Sequence, residues 1–233
     1  MYHAEIIEII QETPTVKSFV FDLLGEKLIF APGQYIDLYV DTLEGSKVAG
    51  YSITSSPLSG QRVSIAVKLI PRAPATVHLH EKTKVGDKFD FDGPGGDFSY
   101  GGRNGASCTF IAGGIGVTPF MSMIKYITES KINDTKIVLI YSAKTITEMV
   151  FLDELKRMSE KSEKLDCYFA ITGGGEASHS EHSHRIDFEN IRRYSSLVDT
   201  TFFISGPRGM PEDFTEMLVS GGVYRSNIRT ESW

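Results

Sequence analysis

The sequence predicts a two-part fold, an N-terminal antiparallel Greek-key β-barrel followed by a doubly wound parallel-sheet α/β domain. The first hundred residues contain many short β-branched and aromatic runs and one helical pattern, which is typical of a closed antiparallel barrel. Strand-like and helix-like segments then alternate, which is typical of a parallel sheet covered by helices. The chain of 233 residues has room for two domains, and the glycine-rich stretch near residue 100 places them at residues 1–102 and 103–233.

The strands of the barrel half are predicted where apolar runs lie between turn signals. From Val63 to Leu69 every second residue is apolar, so these side chains share one face of a strand. A helix is predicted from Ala75 to about Thr83. The predicted strands are Tyr2–Ile10, Val16–Leu23, Tyr35–Val40, Val63–Ile70 and Lys88–Phe91.

The second half predicts four strands, each followed by a helix. The strands are Cys108–Ala112, Lys136–Tyr141, Leu165–Ile171 and Thr201–Ile204. The helices are Thr118–Ser130, Thr147–Lys161, Phe188–Tyr194 and Pro211–Ser220. Because ligands of such sheets bind beyond the carboxyl ends of the strands, the polar and glycine-rich turns at those ends are the candidate sites.

A glycine-rich turn within residues 111–119 is the most informative motif of the chain. It reads Ile-Ala-Gly-Gly-Ile-Gly-Val-Thr-Pro and predicts a strand, a tight turn and a helix beginning near Val117 or Thr118, with Pro119 in its first turn. Glycines allow positive φ angles, and a helix N-terminus presents free N–H groups to an anion. The turn therefore predicts a phosphate or pyrophosphate site. The alternative, a tight strand-to-helix connection that binds no ligand, stays open. Its glycines are Gly113, Gly114 and Gly116.

Composition excludes several classes of protein. The net charge of −6 argues against a nucleic-acid partner, because phosphate backbones require a basic face. Cys108 and Cys167 are too few for a disulfide framework or an iron–sulfur cluster, and both are predicted to be buried packing residues. No apolar run is long enough to span a bilayer and no secretory leader is recognisable, so a cytoplasmic location is expected.

The polar segment Gly173–Arg185 contains three histidines that raise the question of a metal site. His179, His182 and His184 could together hold zinc. We favour a solvated loop and predict no metal, because no carboxylate or cysteine completes a ligand set at typical spacing.

Five motifs follow one another along the chain. They are Gly50–Pro57, Gly93–Phe98, Gly113–Pro119, Ser205–Met210 and the C-terminal segment Ile228–Trp233. In this order they resemble those of the ferredoxin–NADP reductase superfamily, whose members combine a flavin-binding barrel with a pyridine-nucleotide domain. The resemblance covers almost the whole chain and implies a stand-alone flavin-dependent NAD(P)H reductase without an iron–sulfur domain.

The resemblance implies that the segment from Tyr51 to Thr54 binds flavin. Tyr51 would pack on the isoalloxazine ring and Ser52 would bind near the nitrogen that receives the hydride, followed by Ile53 and Thr54. The chain departs from the family at Ala49, where an arginine usually pairs with a flavin phosphate. Either another cation replaces that arginine or the flavin is held more weakly. The candidate replacements are Lys47, Lys68 and Arg72.

A second flavin element is implied at the start of the barrel's helix. Thr76 would cap this helix, and the N–H groups of Val77 and His78 would bind a pyrophosphate, which favours FAD over FMN. Val67 and Lys68, at the end of the preceding strand, complete the implied contacts. His78 would stack on the adenine or lie on the surface without a role.

The nucleotide half is implied to hold NAD(P)H. Its glycine turn, with Thr118 and Pro119, would bind the pyrophosphate. Ser205 stands where the family usually has cysteine, beside the reacting carbon. Ser142 and Lys144 suit a 2′-phosphate, so NADPH is favoured over NADH. The remaining implied contacts are Gly206, Pro207 and Met210.

The implied reaction is hydride transfer from NAD(P)H, bound between the domains, to FAD, with electrons passing to an unidentified acceptor. That acceptor would be ferredoxin, flavodoxin, an oxygenase component or a small molecule. Ser52, Ser205 and Glu231 are placed near the reacting atoms, and Trp233 is expected to cover the flavin or to pack at the domain junction. The alternative that Glu231 is only a surface carboxylate on the last strand stays open. Two other functions stay open as well, a reductase of free flavin and a non-catalytic electron-transfer subunit.

Overall fold

The computed structural model describes residues 1–101, 107–130, 134–173 and 185–232. The chain divides into two compact units. The first comprises Met1–Tyr100 with Thr118–Tyr126, and the second comprises Gly101–Val117 with the chain from Ile127 onward. The predicted boundary at residue 102 falls outside the described residues and stays a prediction. The sequence did not indicate that the helix starting at Thr118 would group with the barrel.

The first unit contains a six-stranded antiparallel sheet in the order β4-β3-β6-β1-β2-β5. A bridge between Ile53 and Ile65 joins its two outermost strands, which gives the predicted barrel-like closure. The strands are β1 (Tyr2–Thr13), β2 (Val16–Asp22), β3 (Tyr35–Thr42), β4 (Gly45–Ser52), β5 (Arg62–Lys68) and β6 (Lys88–Gly95), and α1 (Pro74–Glu81) lies between β5 and β6 in the chain.

The barrel interior is filled by the alternating apolar residues that predicted the strands. On β5, Val63, Ile65 and Val67 are at most 1% exposed and face one core cluster. Leu69 falls outside this strand, which ends at Lys68, and its N–H donates to the Thr15 carbonyl at 2.8 Å. Helix α1 contributes Ala75 and Leu79 to the same core, so the helix is held against the barrel by apolar burial.

The second unit contains a five-stranded parallel sheet in the order β11-β10-β7-β8-β9. Its strands are β7 (Ser107–Gly113), β8 (Lys136–Ala143), β9 (Leu165–Ile171), β10 (Thr200–Gly206) and β11 (Ile228–Ser232). The helices between these strands in the chain are α2 (Thr118–Glu129), most of which groups with the first unit, α3 (Leu152–Lys161), α4 (Phe188–Tyr194) and α5 (Met210–Ser220). This strand–helix alternation confirms the predicted doubly wound architecture.

The predicted helix Thr147–Lys161 is wrong at its start. A short 3-10 turn covers Ile146–Glu148, and α3 begins only at Leu152. Between them the Val150 N–H donates to the Tyr141 hydroxyl at 3.0 Å, and Phe151 adopts a left-handed φ of 62°. Burial of the apolar residues around Val150 therefore overrides local helix propensity.

Candidate active site

The parallel register brings the predicted nucleotide residues to one edge of the second unit's sheet. Ser205, near the end of β10, lies opposite Ala112 on β7 and opposite Glu231 on β11. Gly113, at the end of β7, lies opposite Ser142 on β8. Turns that are far apart in sequence therefore meet at the carboxyl ends of the strands, where ligands of such sheets bind.

The three glycines of the nucleotide turn have different roles. Among them only Gly114 uses a positive φ, at 55°. A Cβ at Gly116 would lie 2.6 Å from the Ser205 carbonyl carbon and 2.9 Å from the Gly206 nitrogen. A Cβ at Gly113 would overlap Met210 Sδ. Gly113 and Gly116 thus permit close packing, and Gly114 faces open space, where a ligand can approach the backbone.

The turn continues into a helix at the predicted place. Residues Gly114–Val117 form a 3-10 turn, α2 begins at Thr118, and Pro119 is its second residue. Pro119 is tolerated there because the first turn of a helix makes no use of its N–H. Thr118 and Pro119 are both buried, so a ligand at this turn would meet mainly backbone atoms.

Ser205 and Glu231 form a polar pair beside the glycine turn. The Ser205 hydroxyl is fully buried and has no hydrogen-bond partner among the described residues. Burial raises the pKa of the Glu231 carboxyl from about 4.5 to about 7, and the nearby Ser205 hydroxyl partly opposes this shift. Near neutral pH the pair therefore offers a buried hydroxyl, whose interaction with Glu231 falls short of hydrogen-bond geometry, and a carboxyl that is only partly ionised.

The turn after β10 is closed by Met210. The Met210 N–H donates to the Pro207 carbonyl at 3.0 Å. A Cβ on Gly206 would lie 2.5 Å from Met210 Sδ, so the thioether packs directly on that glycine. Pro207 is exposed at the rim of this turn. Met210 thus packs on the strand ends, and the ligand contact predicted for it stays a prediction.

The two residues predicted to bind a 2′-phosphate differ in availability. The Ser142 hydroxyl donates to the Ala112 carbonyl at 3.3 Å, so it is engaged within the sheet. The Lys144 carbonyl accepts a hydrogen bond from the Gly173 N–H at 2.9 Å, which fixes the lysine backbone. Its side chain is exposed and makes no ion pair in the described parts of the chain. Lys144 is therefore the residue of this pair that can meet an anion.

In the first unit, which contains the barrel-like sheet, Tyr51 is the residue best placed to bind a ligand. Its ring packs against the apolar core, and its hydroxyl is buried without a hydrogen-bond partner in the described ranges. Burial raises the Tyr51 pKa to about 12. Ala49 packs against the same core, two residues earlier on β4, and Ser52 ends that strand half-buried. A buried phenol without a partner is costly, so it marks a place for a ligand atom.

Ile53, Thr54 and Val67 close the barrel rather than face a ligand. Ile53 is fully buried at the bridge to β5, and the Thr54 hydroxyl lies 2.8 Å from the Ser64 hydroxyl. Val67 is fully buried, and its carbonyl lies 2.9 Å from His80 Nε2. These side chains are therefore used inside the barrel, and the flavin contacts predicted for the three residues stay predictions.

The capping role predicted for Thr76 is wrong. The N-cap of α1 is Ala73, without a side-chain cap, and Thr76 lies within the first turn. Its hydroxyl accepts a hydrogen bond from the Ile70 N–H at 3.0 Å and lies 3.0 Å from the Ala73 carbonyl. It therefore stabilises the turn of residues 70–73 that precedes the helix. The Val77 N–H donates to the Ala73 carbonyl at 3.1 Å. The free donors of this helix are consequently those of residues 75 and 76, because Pro74 has no N–H.

His80 is a residue that the sequence reasoning missed. Besides its ring contact with Val67, its carbonyl accepts from Lys17 Nζ at 2.7 Å. The ring and carbonyl together tie the end of α1 to two strands of the barrel. His78 is half-buried on the same helix. His78 and His80 lie only two residues apart in the same turn of this short helix, and nothing in the sequence indicated that His80 would be the one tied to the barrel.

The two cysteines carry neutral thiols. Burial raises the pKa of Cys108 and of Cys167 to about 12, so both thiols are neutral at pH 7.

Four residues with predicted or considered roles fall outside the described part of the chain. They are Trp233, His179, His182 and His184. In the described ranges no group of three or more His, Cys, Asp or Glu could hold a metal ion. No helix in those ranges is long and apolar enough to cross a membrane.

Two family descriptions match nearly the whole chain. Residues 3–100 match the oxidoreductase FAD-binding domain, and residues 110–216 match the oxidoreductase NAD-binding domain. The human oxidoreductase NAD-binding domain-containing protein 1 is 30% identical over 255 residues, covering 99% of this chain and 79% of that protein. The glycine betaine monooxygenase reductase subunit of Chromohalobacter salexigens is 26% identical, covering 100% of this chain but only 64% of its own length. The chain thus spans less than two thirds of that relative.

Solved structures share the fold. The flavohem-like FAD/NAD-binding domain of nitric oxide dioxygenase from Vibrio cholerae superposes with a TM-score of 0.89 at 22% identity, covering 100% of this chain and 98% of that one. The cytochrome b5 reductase domain of Ulva prolifera nitrate reductase superposes with a TM-score of 0.85 at 20% identity, covering 99% and 97%.

The chain belongs to the oxidoreductase family that is defined by a FAD-binding domain followed by an NAD-binding domain, and it shares the fold of ferredoxin–NADP reductase-like proteins. The predicted family and fold class are thereby confirmed. The residues fit FAD, because within the described part of the chain the buried Tyr51 hydroxyl lacks a hydrogen-bond partner and the first turn of α1 leaves N–H donors free. FAD would be held at Tyr51, Ser52 and the start of α1.

Proposed function

We propose that this protein is an NAD(P)H-dependent flavin oxidoreductase that passes electrons to a separate acceptor. The observation that carries the proposal is the fully buried Ser205 hydroxyl, which has no partner among the described residues and lies beside Glu231 and the glycine turn. A buried polar atom without a partner is unfavourable unless a ligand satisfies it. This position, at the carboxyl edge of the sheet, is where the nicotinamide end of NAD(P)H would lie.

Each part of the site has a separate task in the proposal. The backbone at Gly114 and the start of α2 would bind the pyrophosphate of NAD(P)H, with Thr118 near its nicotinamide end. Ser205 would orient the nicotinamide, and Glu231 would hold or release a proton near neutral pH. FAD supplies the hydride-accepting chemistry when bound, and Tyr51 and Ser52 would fix its position. Fixed positions matter because misalignment slows such transfers strongly.

The acceptor is proposed to be a redox protein. One matched relative is the reductase subunit of a glycine betaine monooxygenase, and its name describes a reductase that serves a separate oxygenase. The present chain matches that relative over its own full length, so a role as the reductase partner of an oxygenase or a small electron carrier is the natural extension. A cytoplasmic location is part of the proposal, since the two free thiols suit a reducing compartment.

We expect the purified protein to contain close to one FAD per chain. The reason is that Tyr51 and the uncapped α1 both provide groups that FAD would satisfy. Acid release followed by chromatography distinguishes FAD from FMN and gives the stoichiometry. The replacement of the usual arginine by Ala49 favours the second candidate, a reductase of free flavin. A colourless protein that binds flavin only at high micromolar concentration would support that candidate and contradict ours.

Lys144→Ala is expected to raise the Michaelis constant for NADPH by about tenfold or more and to leave that for NADH nearly unchanged. The exposed Lys144 ammonium has no ion pair within the described chain, and a contact with a 2′-phosphate contributes roughly 1–3 kcal/mol. Steady-state kinetics with both nucleotides measure the effect. Lys161→Ala, an exposed lysine at the end of α3, is the matched control. Equal losses for NADPH and NADH would show that Lys144 does not read the phosphate.

A further inference from the structure

Met210 lies where the ends of β7 and β10 meet, and its sulfur contacts both strands. A Cβ built on Gly206, the last residue of β10, would lie 2.5 Å from Met210 Sδ and 3.5 Å from the Cα of Gly113. A Cβ built on Gly113, the last residue of β7, would overlap the same sulfur and lie 3.2 Å from Met210 Cε. The thioether therefore packs on the glycine that opens the nucleotide turn and on the glycine that follows Ser205.

Hydrogen bonds fix the backbone from which this side chain extends. The Met210 N–H donates to the Pro207 carbonyl at 3.0 Å, and the Gly209 N–H donates to Glu212 Oε2 at 3.1 Å. The Asp213 N–H donates to the Gly209 carbonyl at 3.0 Å. Because the start of α5 is held in this way, a change in the shape of the Met210 side chain acts on the strand ends rather than on the helix.

Met210 is more accessible than the methionines of the core. It is half-buried and follows the exposed residues 207–209. Met121, Met123 and Met149 are at most 4% exposed. Because an oxidant in solution reaches exposed sulfur most readily, Met210 combines an accessible sulfur with a packed position at the candidate site.

The cysteines of the chain do not compete for an oxidant at this strand edge. Burial raises the pKa of Cys108 and of Cys167 to about 12, so neither thiol forms the reactive thiolate at pH 7. Ser205 stands where the resemblance implied a cysteine, and its hydroxyl is not oxidised by peroxide. Within the described part of this strand edge, the sulfur open to oxidation is therefore that of Met210.

We propose that Met210 is a site of reversible oxidation by hydrogen peroxide and that its sulfoxide weakens the binding of the nicotinamide nucleotide. In this step the sulfur donates an electron pair to one peroxide oxygen, so that an S–O bond forms and the O–O bond breaks. The other oxygen takes up the remaining proton and leaves as water. The sulfur is oxidised by two electrons and the peroxide is reduced. The inference rests on the proposed binding of NAD(P)H at the glycine turn.

The sulfoxide cannot keep the position of the thioether. It adds an oxygen to a sulfur that already packs on Gly113 and Gly206, and it replaces an apolar group by a strong hydrogen-bond acceptor. An acceptor packed against glycine Cα atoms without a donor is unfavourable. The oxidised side chain would therefore turn to solvent, and the two strand ends would lose the contact that holds the nucleotide turn beside Ser205.

The test treats the FAD-containing protein with hydrogen peroxide, removes the excess with catalase and locates the added oxygen by peptide mass spectrometry. Isothermal titration calorimetry with NADP⁺ and with NAD⁺ then gives the dissociation constants before and after treatment. Oxidised wild type is expected to bind the preferred nucleotide about tenfold more weakly. Methionine sulfoxide reductases A and B should restore the affinity. The FAD content should stay unchanged, because the first unit holds the flavin.

Three variants separate Met210 from the other methionines, each compared with its own untreated sample. Met210→Leu, which has no sulfur, should show no change on peroxide treatment. Met158→Leu, at a half-buried methionine on α3, is the matched control and should respond as wild type does. Met210→Gln places a polar group of similar length at the strand ends and should bind the nucleotide weakly before any treatment.

Three results would overturn the inference. They are a Met210 that stays unmodified when the exposed Met1 is fully oxidised, a modified Met210 with unchanged nucleotide affinity, and a Met210→Leu protein that still loses affinity on treatment. If the untreated wild type binds neither NADP⁺ nor NAD⁺, the proposed function fails and this inference fails with it. If it binds one of them and oxidation of Met210 has no effect, only this inference fails.

Discussion

Gly116→Ala is expected to destabilise the second unit by about 3 kcal/mol or more. The new Cβ would lie 2.6 Å from the Ser205 carbonyl carbon and 2.9 Å from the Gly206 nitrogen, both of which are backbone atoms of β10. The backbone of a strand paired on both sides cannot rotate away as a side chain can, so strand and turn must separate. Thermal and denaturant unfolding followed by circular dichroism measure the loss.

Gly114→Ala is the matched control in the same turn. Gly114 has a φ of 55° and open space around a built Cβ, so alanine costs only the left-handed penalty of about 1 kcal/mol. This variant should fold and should bind NAD(P)H more weakly, since a methyl group would stand where the nucleotide approaches. Equal stability of the two variants would contradict the assignment of separate roles to these glycines.

Glu231→Gln is expected to flatten the pH dependence of stability. The folded protein holds the Glu231 proton with a pKa of about 7, whereas the usual value is 4.5. Between these values the folded state binds more protons than the unfolded state, so the free energy of unfolding falls as pH rises from about 5 to about 8. The shift corresponds to a loss of roughly 2–3 kcal/mol over that range. The glutamine variant should lack this loss and be more stable than wild type at pH 8.

Denaturant unfolding at pH 5 and pH 8 measures the difference between the two proteins. Glu216→Gln, which changes an exposed glutamate on α5, is the control and should behave as wild type. A parallel fall in stability for wild type and Glu231→Gln would show that another group causes it. Turnover adds a second readout, because a carboxyl beside the nicotinamide should also shift the pH profile of kcat.

The sequence predicted the flavin side of the site less well than the nucleotide side. Tyr51 and Ser52 lie at the end of β4, as the motif implied. The side chains of Ile53, Thr54 and Thr76 are engaged in contacts within the barrel unit that the motif did not indicate. A sequence motif shows which residues occur together, but it does not show which of their side chains form hydrogen bonds or core contacts within the barrel.

The sequence alone determined the order of the two folds, the positions of most strands and the glycine turn before α2. These features follow from alternation, periodicity and the backbone freedom of glycine, which are local properties. Only the tertiary structure decided that Gly116 packs on β10 and Gly114 stays open, that Ser205 faces Glu231, and that α3 begins at Leu152. Each of those outcomes depends on burial and contact between segments distant in the chain, and such contacts exist only after the chain has folded.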